Sequence, residues 1–145
     1  EFGENVILKG KIDFNNLSQI AFSSPLRQQK LNSLIWPLVG DMINKKLKEA
    51  EKKDYSLFIV DAALLMEANF ESFFDSILLI TAESTIRIQR VAMRKNIPEK
   101  QIEQRISLQI PESEKEKRAD FIIWNNDDRK CLLRNLNIFY NKLHL

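Results

Sequence analysis

Glycine is scarce in this chain. There are three, Gly3, Gly10 and Gly40, in 145 residues, where an average usage of about 7% would give roughly ten. None stands in a G-x-G-x-x-G or G-x-x-x-x-G-K-[ST] pattern. A Gly-rich phosphate cradle within these residues is therefore excluded, as is a collagen-like or Gly-rich disordered chain. Cysteine is scarcer still. Cys131 is alone and cannot form an internal disulfide, and with the single His144 it supplies no zinc cluster. A reducing, cytoplasmic setting is the expectation. Apolar runs fall far short of the roughly 18 residues that a membrane span needs, and the start has no signal-peptide core. An excess of one charge is also missing: Lys and Arg number 22, Asp and Glu 20, for a net charge of +2. Duplex DNA would call for a basic stripe and a pI above about 9, so neither nucleic acid nor membrane is an expected partner.

What is present suits a globular domain with a real core: 44% of residues are hydrophobic and 29% charged. Residues 1–14 read as an irregular lead-in with a turn at Gly10. Helical periodicity begins near Asn15 or Asn16, either a plausible N-cap, and Leu17, Ile20 and Ala21 form its apolar stripe. Ser24-Pro25 restarts the helix, with Ser as cap and Pro in the first turn. Pro37 marks another break or start, and a polar helix follows to about Lys53 with Leu38, Ile43 and Leu47 inward. Three short apolar runs then appear, at 56–60, 76–80 and 121–124. Continuous apolar runs suit strands buried on both faces of a parallel sheet. Helical stretches at 83–96, 99–109, 112–118 and 128–143 separate or follow them. The expected class is α/β, with a helical part over 1–54 and an α/β part over 55–145. Three strands are few for such a sheet.

In open α/β sheets ligands bind beyond the carboxyl ends of the strands, which directs attention to Asp61, Thr81 and Asn125. Asp61 could hold Mg²⁺ through water or take a proton from a hydroxyl; it could equally cap the turn that follows. Glu67 reads as a cap or a solvated acid. Arg87, Arg90 and Arg94 lie within roughly 60° of one another on a helix face. Arg suits bidentate phosphate contact and charge neutralisation in phosphoryl transfer, although a solvated basic face near a helix C-terminus is also favoured by the dipole. Residues 94–118 are dense in charge of both signs and divided by Pro98 and Pro111. They read as a solvated helical pair or as a lid closing basic residues over a phosphorylated ligand. Trp36 and Trp124 read as core or pocket wall, Asn125-Asn126-Asp127 as a loop, Cys131 as a buried inert thiol, and His144 as part of a fraying end.

Several stretches in this order resemble the dephospho-coenzyme A kinase family: Phe2-Gly-Glu-Asn-Val-Ile, Ala21-Phe-Ser-Ser-Pro, Trp36-Pro-Leu-Val, Ile59-Val-Asp-Ala-Ala-Leu-Leu-Met-Glu, Gln89-Arg-Val-Ala-Met-Arg, Arg105-Ile-Ser-Leu-Gln-Ile-Pro and Ala119-Asp-Phe-Ile-Ile-Trp-Asn. The resemblance implies a P-loop kinase fold: a parallel sheet with flanking helices, a helical acceptor-side domain and a lid at about 94–118. It implies transfer of the ATP γ-phosphate to the 3′-hydroxyl of dephospho-CoA, with Mg²⁺ accompanying ATP. By position it assigns Arg90 to the transferring phosphate, with Asp61 as the other catalytic candidate. Arg94, Gln109 and Lys115 fall to ATP and phosphate, Asn125 to the neighbourhood of adenine, and Leu64, Leu65, Glu67 and Trp36 to the acceptor side.

The sequence also departs from the family. Trp36 stands where His is usual, Ala63 where Pro is frequent, and Met66 where Phe is frequent. A family member carries roughly sixty residues ahead of the point matching residue 1, with the first two strands, the P-loop and a base Asp. The resemblance therefore implies that the N-terminal strands are missing here, that no metal ligand lies within these residues, and that this segment alone is unstable and inactive. A non-catalytic remnant or interaction module on a kinase scaffold, and a related nucleotide or nucleoside kinase, stand as alternatives.

Overall fold

The computed structural model describes residues 2–95 and 98–143, the side chains of Glu4, Lys95 and Glu99 apart. His144 and the expected helix end at Asn96 lie outside the described residues. The chain divides into two compact units, Glu1–Val60 and Asp61–Leu145. Among the described residues no helix is long and apolar enough to cross a membrane.

The first unit opens with a small hairpin rather than an irregular lead-in. Strand β1 (Ile7–Leu8) pairs antiparallel with β2 (Lys11–Ile12), Ile7 opposite Ile12. The two linking residues, Lys9 and Gly10, both have positive φ, at 51° and 75°. This is the pattern of a tight primed turn, which Gly10 adopts without steric cost. Helix α1 (Phe14–Ala21) is capped by Asp13, not by Asn15 or Asn16. The Asp13 carboxylate accepts from the backbone N–H groups of Asn15 and Asn16 at 3.0 and 3.1 Å, while the Asn16 side chain donates to the Asn5 carbonyl at 3.2 Å.

Helix α2 (Pro25–Glu51) starts as Ser24-Pro25 implies, with the Ser24 hydroxyl accepting from the Arg27 N–H. It then runs unbroken through Pro37. The proline lacks only its own N–H, which orphans one carbonyl, that of Ser33. Ser33 is exposed, so water can satisfy that carbonyl. Ile43 is buried as its spacing implies, but Leu38 is 65% exposed.

Residues 56–60, read as a buried strand, form no ladder, and Ile59 is 75% exposed. A strand needs a neighbour for its N–H and C=O groups, and none pairs with this run among the described residues.

The second unit holds a parallel pair, β3 (Leu78–Thr81) and β4 (Phe121–Trp124), in register Leu78↔Phe121 through Thr81↔Trp124. Between them run α3 (Ser84–Lys95), α4 (Glu99–Ser107) and α5 (Glu112–Arg118), and α6 (Arg129–Lys142) follows β4. Helix α3 packs on α4 and α6 on β4, the latter through an edge-to-face contact of Phe121 with Phe139 at 5.0 Å. Met66, Ala82, Ile102 and Ile123 form the apolar core. The strands are not covered on both faces as their composition implies: Ile80 is 47% and Trp124 45% exposed. Asp128 caps α6, its carboxylate accepting from the Cys131 N–H at 2.8 Å. Asp128→Ala is expected to cost about 1 kcal/mol, read as a lower urea midpoint at constant slope; an unchanged midpoint would remove the cap from the account.

Candidate functional site

The carboxyl ends of β3 and β4 lie side by side at Thr81 and Trp124, and the segments leaving them carry the chemistry of the second unit. The buried Thr81 hydroxyl donates to Glu112, the first residue of α5. The other oxygen of Glu112 accepts from Arg87 Nη1 at 2.7 Å. Glu112 thus ties α5 to the end of β3 and to α3, and as an acid at a helix start it is also favoured by the dipole. Arg87 Nε is buried without a partner.

The three arginines on the α3 face therefore separate. Arg87 is held by Glu112. Arg90 forks onto the loop after β4, donating from Nη1 to the Asn125 carbonyl at 2.6 Å and from Nη2 to the Asp127 carbonyl at 2.9 Å. Arg94 is exposed and has no hydrogen bond or ion pair among the described residues.

The segment after Asp61 is a run of tight turns over 63–69, ended by Asn69 with φ 53°. Asp61 is exposed, and its carboxylate has no partner among the described residues. Leu64 and Leu65 are half-buried, and their carbonyls accept from the N–H groups of Ala68 and Phe70 at 3.1 Å. Glu67 turns inward. One of its carboxylate oxygens accepts from Lys115 Nζ at 2.9 Å and from the Ile110 N–H at 3.1 Å. The other is buried without a partner. Both side chains of the pair are about nine-tenths buried, 10% and 8% exposed.

The structure thus joins a residue read toward phosphate, Lys115, to one read toward the acceptor, Glu67. In this arrangement the Lys115 ammonium is spent on a carboxylate. Gln109 is half-buried beside Ile110. One turn beyond Lys115, Arg118 Nη2 reaches Glu71, the Met66 carbonyl at 3.1 Å and Asn69 Oδ1 at 3.3 Å. Helix α5 is therefore fixed at Glu112, Lys115 and Arg118, three positions spaced by three. The part of the charged 94–118 stretch that it forms is tied to its own unit through these three side chains.

The sequence alone assigned no role to Glu112 or Arg118, although their i, i+3, i+6 spacing with Lys115 on α5 was a usable signal. In the first unit, Trp36 is half-buried on α2. The same unit carries a groove of about 720 Å³ lined by Phe2, Ile20, Leu26, Arg27 and Lys30, among others. Neither cation of that groove stood out in the sequence, because α2 is rich in polar residues throughout.

Comparison with known proteins gives this geometry its family. The family model described as Dephospho-CoA kinase (CoaE) matches residues 1–130. Curated relatives bearing that name include one from Enterococcus faecalis, 33% identical over 89% of this chain and 65% of its own length. Another, from Bdellovibrio bacteriovorus, is 33% identical over 94% of this chain and 68% of its own. The chain thus spans about two thirds of the length of the curated relatives that it matches. Among solved structures, a crystal structure from Thermus thermophilus superposes over 96% of this chain and 71% of its own, with a TM-score of 0.77 at 27% identity. A dephospho-CoA kinase from Campylobacter jejuni covers 97% of this chain and 73% of its own, with a TM-score of 0.59 at 23% identity, and so bears on the fold alone. The architecture is the α/β fold of the P-loop kinases. With a family match over nearly the whole chain, the protein belongs to the dephospho-CoA kinase family.

Proposed function

We propose that the protein acts in transfer of the ATP γ-phosphate to the 3′-hydroxyl of dephospho-CoA, the last step of coenzyme A biosynthesis, in a cytoplasmic setting. The observation that carries this reading is the family match over residues 1–130. Within it, the 125–127 loop and α3 would hold the nucleotide. Asn125 would lie near adenine, and Arg90 would serve the transferring phosphate. Arg94, the arginine of the α3 face with no partner among the described residues, would support Arg90 at the phosphates, and Gln109 would serve the same side from the lid. Asp61, an exposed carboxylate, could receive the proton of the attacking hydroxyl. Leu64, Leu65 and Trp36 would serve the acceptor side. Glu67 and Lys115 would act there as a pair, by fixing the turn that presents Leu64 and Leu65.

Mg²⁺ enters this scheme as part of the ATP substrate. Among the described residues no group of three His, Cys, Asp or Glu side chains could hold a metal ion.

The test is turnover of the chain as its gene encodes it, with Mg-ATP and dephospho-CoA. Coenzyme A and ADP are expected to form in equal amounts. Phosphorylation of another nucleotide or nucleoside in preference to dephospho-CoA would favour a related kinase. Binding of either substrate without transfer would favour a non-catalytic scaffold.

A further inference from the structure

We propose that the groove of the first unit is a binding site for an anionic amphiphile, a molecule with a phosphate group on a short apolar chain. None of the residues lining it enters the phosphoryl-transfer reading above, so the two are tested separately. Its volume of about 720 Å³ lies within the roughly 300–1,000 Å³ of small-molecule sites. The walls come from three segments of one unit: Phe2 ahead of β1, Ile20 on α1, and Leu26, Lys30 and Ser33 on α2. The three on α2 recur at i, i+4 and i+7, which puts them on one helix face. The Asn16 side chain ties the first segment to α1 through the Asn5 carbonyl at 3.2 Å.

Two kinds of surface meet in this groove. Phe2, Ile20 and Leu26 are apolar. Leu26 is 76% exposed, so an apolar chain laid over it removes hydrocarbon from water. Arg27 and Lys30, three apart and therefore neighbours on the helix surface, supply positive charge. No Asp or Glu stands among the described residues that line the groove. The Arg27 side chain has no hydrogen bond or ion pair among the described residues, whereas Lys30 is already engaged. Arg27 is therefore the cation open to a ligand, and Lys30 adds to the local positive potential.

Each half of the ligand follows from one half of the groove. A guanidinium presents paired N–H donors that match two oxygens of a phosphate. Inorganic phosphate would use Arg27 and leave Leu26 in water. A neutral alcohol would cover Leu26 and leave Arg27 in water. Only a molecule that carries both groups engages both residues, which are adjacent in the first turn of α2. Such chemistry can arrive as a free phosphorylated amphiphile or as the phosphate and arm of dephospho-CoA.

The test measures binding of octyl phosphate, octanol and inorganic phosphate by calorimetry, below the concentration at which octyl phosphate forms micelles. The proteins are the chain as its gene encodes it, Arg27→Gln, Arg27→Lys and Leu26→Ser. Octyl phosphate should bind the parent at least about tenfold more tightly than either of the other two. Arg27→Gln should weaken octyl phosphate about tenfold, through loss of a charge-assisted pair, and leave octanol unchanged. Arg27→Lys, which keeps the charge without the fork, should fall between. Leu26→Ser should weaken octyl phosphate and octanol by the same factor and leave inorganic phosphate unchanged. Both positions are exposed, thermal melts coincident with the parent's show that the variants fold, and each position carries the test should the other fail. Displacement of octyl phosphate by dephospho-CoA would support the site and assign it to the acceptor. Binding without displacement would support it and assign it to a free amphiphile. Equal binding of inorganic phosphate and octyl phosphate would overturn the amphiphile. Octyl phosphate binding unchanged in both Arg27→Gln and Leu26→Ser would overturn the assignment to this groove, and no binding by the parent would overturn the site itself.

Discussion

Replacing Lys115 alone by methionine is expected to destabilise the protein by about 3–5 kcal/mol, because removing one partner of a buried ion pair strands the other. Glu67 would then keep a carboxylate nine-tenths buried, with one oxygen lacking a partner and the other held only by the Ile110 N–H at 3.1 Å. The informative comparison adds Glu67→Gln. In the double variant no charge is buried, the amide oxygen can still accept from Ile110, and the methionine keeps the apolar stem of the lysine. Buried ion pairs replaced on both sides are often neutral in stability, so Lys115→Met with Glu67→Gln should recover most of the loss. Urea denaturation of the parent, both single variants and the double variant measures the coupling. A loss under about 1 kcal/mol for Lys115→Met would mean that the pair is solvated in the native state. The exposed pair of Lys46 with Glu49 shows the contrast. It has a comparable length of 2.7 Å, and the ammonium holds the Glu49 carboxyl below its usual range, yet water on both sides leaves little net stabilisation.

The second large effect is expected at Glu112. Glu112→Ala removes the acceptor of the buried Thr81 hydroxyl and the anion facing Arg87, whose Nε already lacks a partner. Leaving such groups unpaired costs about 1–3 kcal/mol each. Arg87 is 30% exposed and can partly rehydrate, so the sum should come to about 2–3 kcal/mol. Glu112→Gln keeps the bond to Thr81 and loses only the charge, so its cost should be clearly smaller. Equal costs for the two variants would show that the charge on Arg87, and not the buried hydroxyl, dominates. A cost below about 0.5 kcal/mol for Glu112→Ala, within the range of ordinary surface changes, would refute the account of Glu112 as the tie between α5 and β3.

Much of the local structure was legible because its causes are local. Ser24-Pro25 starts α2, the apolar runs read at 76–80 and 121–124 give strands at Leu78–Thr81 and Phe121–Trp124, and Pro111 precedes a helix of the expected extent. Where local reading missed, the deciding group lay a few residues away or was the solvent. Asp13 capped α1 because it stands one place before the first helical residue. Pro37 does not break α2, and the carbonyl it orphans belongs to Ser33, an exposed residue. The run at 56–60 remains unpaired because a strand is defined by its neighbour, and the period of a sequence does not say where that neighbour comes from.

The sequence by itself determined the family, the α/β class and the clustering of three arginines on one helix face. Composition, punctuation and residue order suffice for those, since each depends on positions close together in the chain. Only the tertiary structure decided what the arginines do. Arg87, Arg90 and Arg94 differ little in local sequence. Their roles separate through Glu112, Asn125 and Asp127, which lie 25 to 37 residues further on. A guanidinium donates to whatever acceptor the fold brings within about 3 Å, and that distance is set by the pairing of β3 with β4 and the anchoring of α5, not by the helix that carries the arginine.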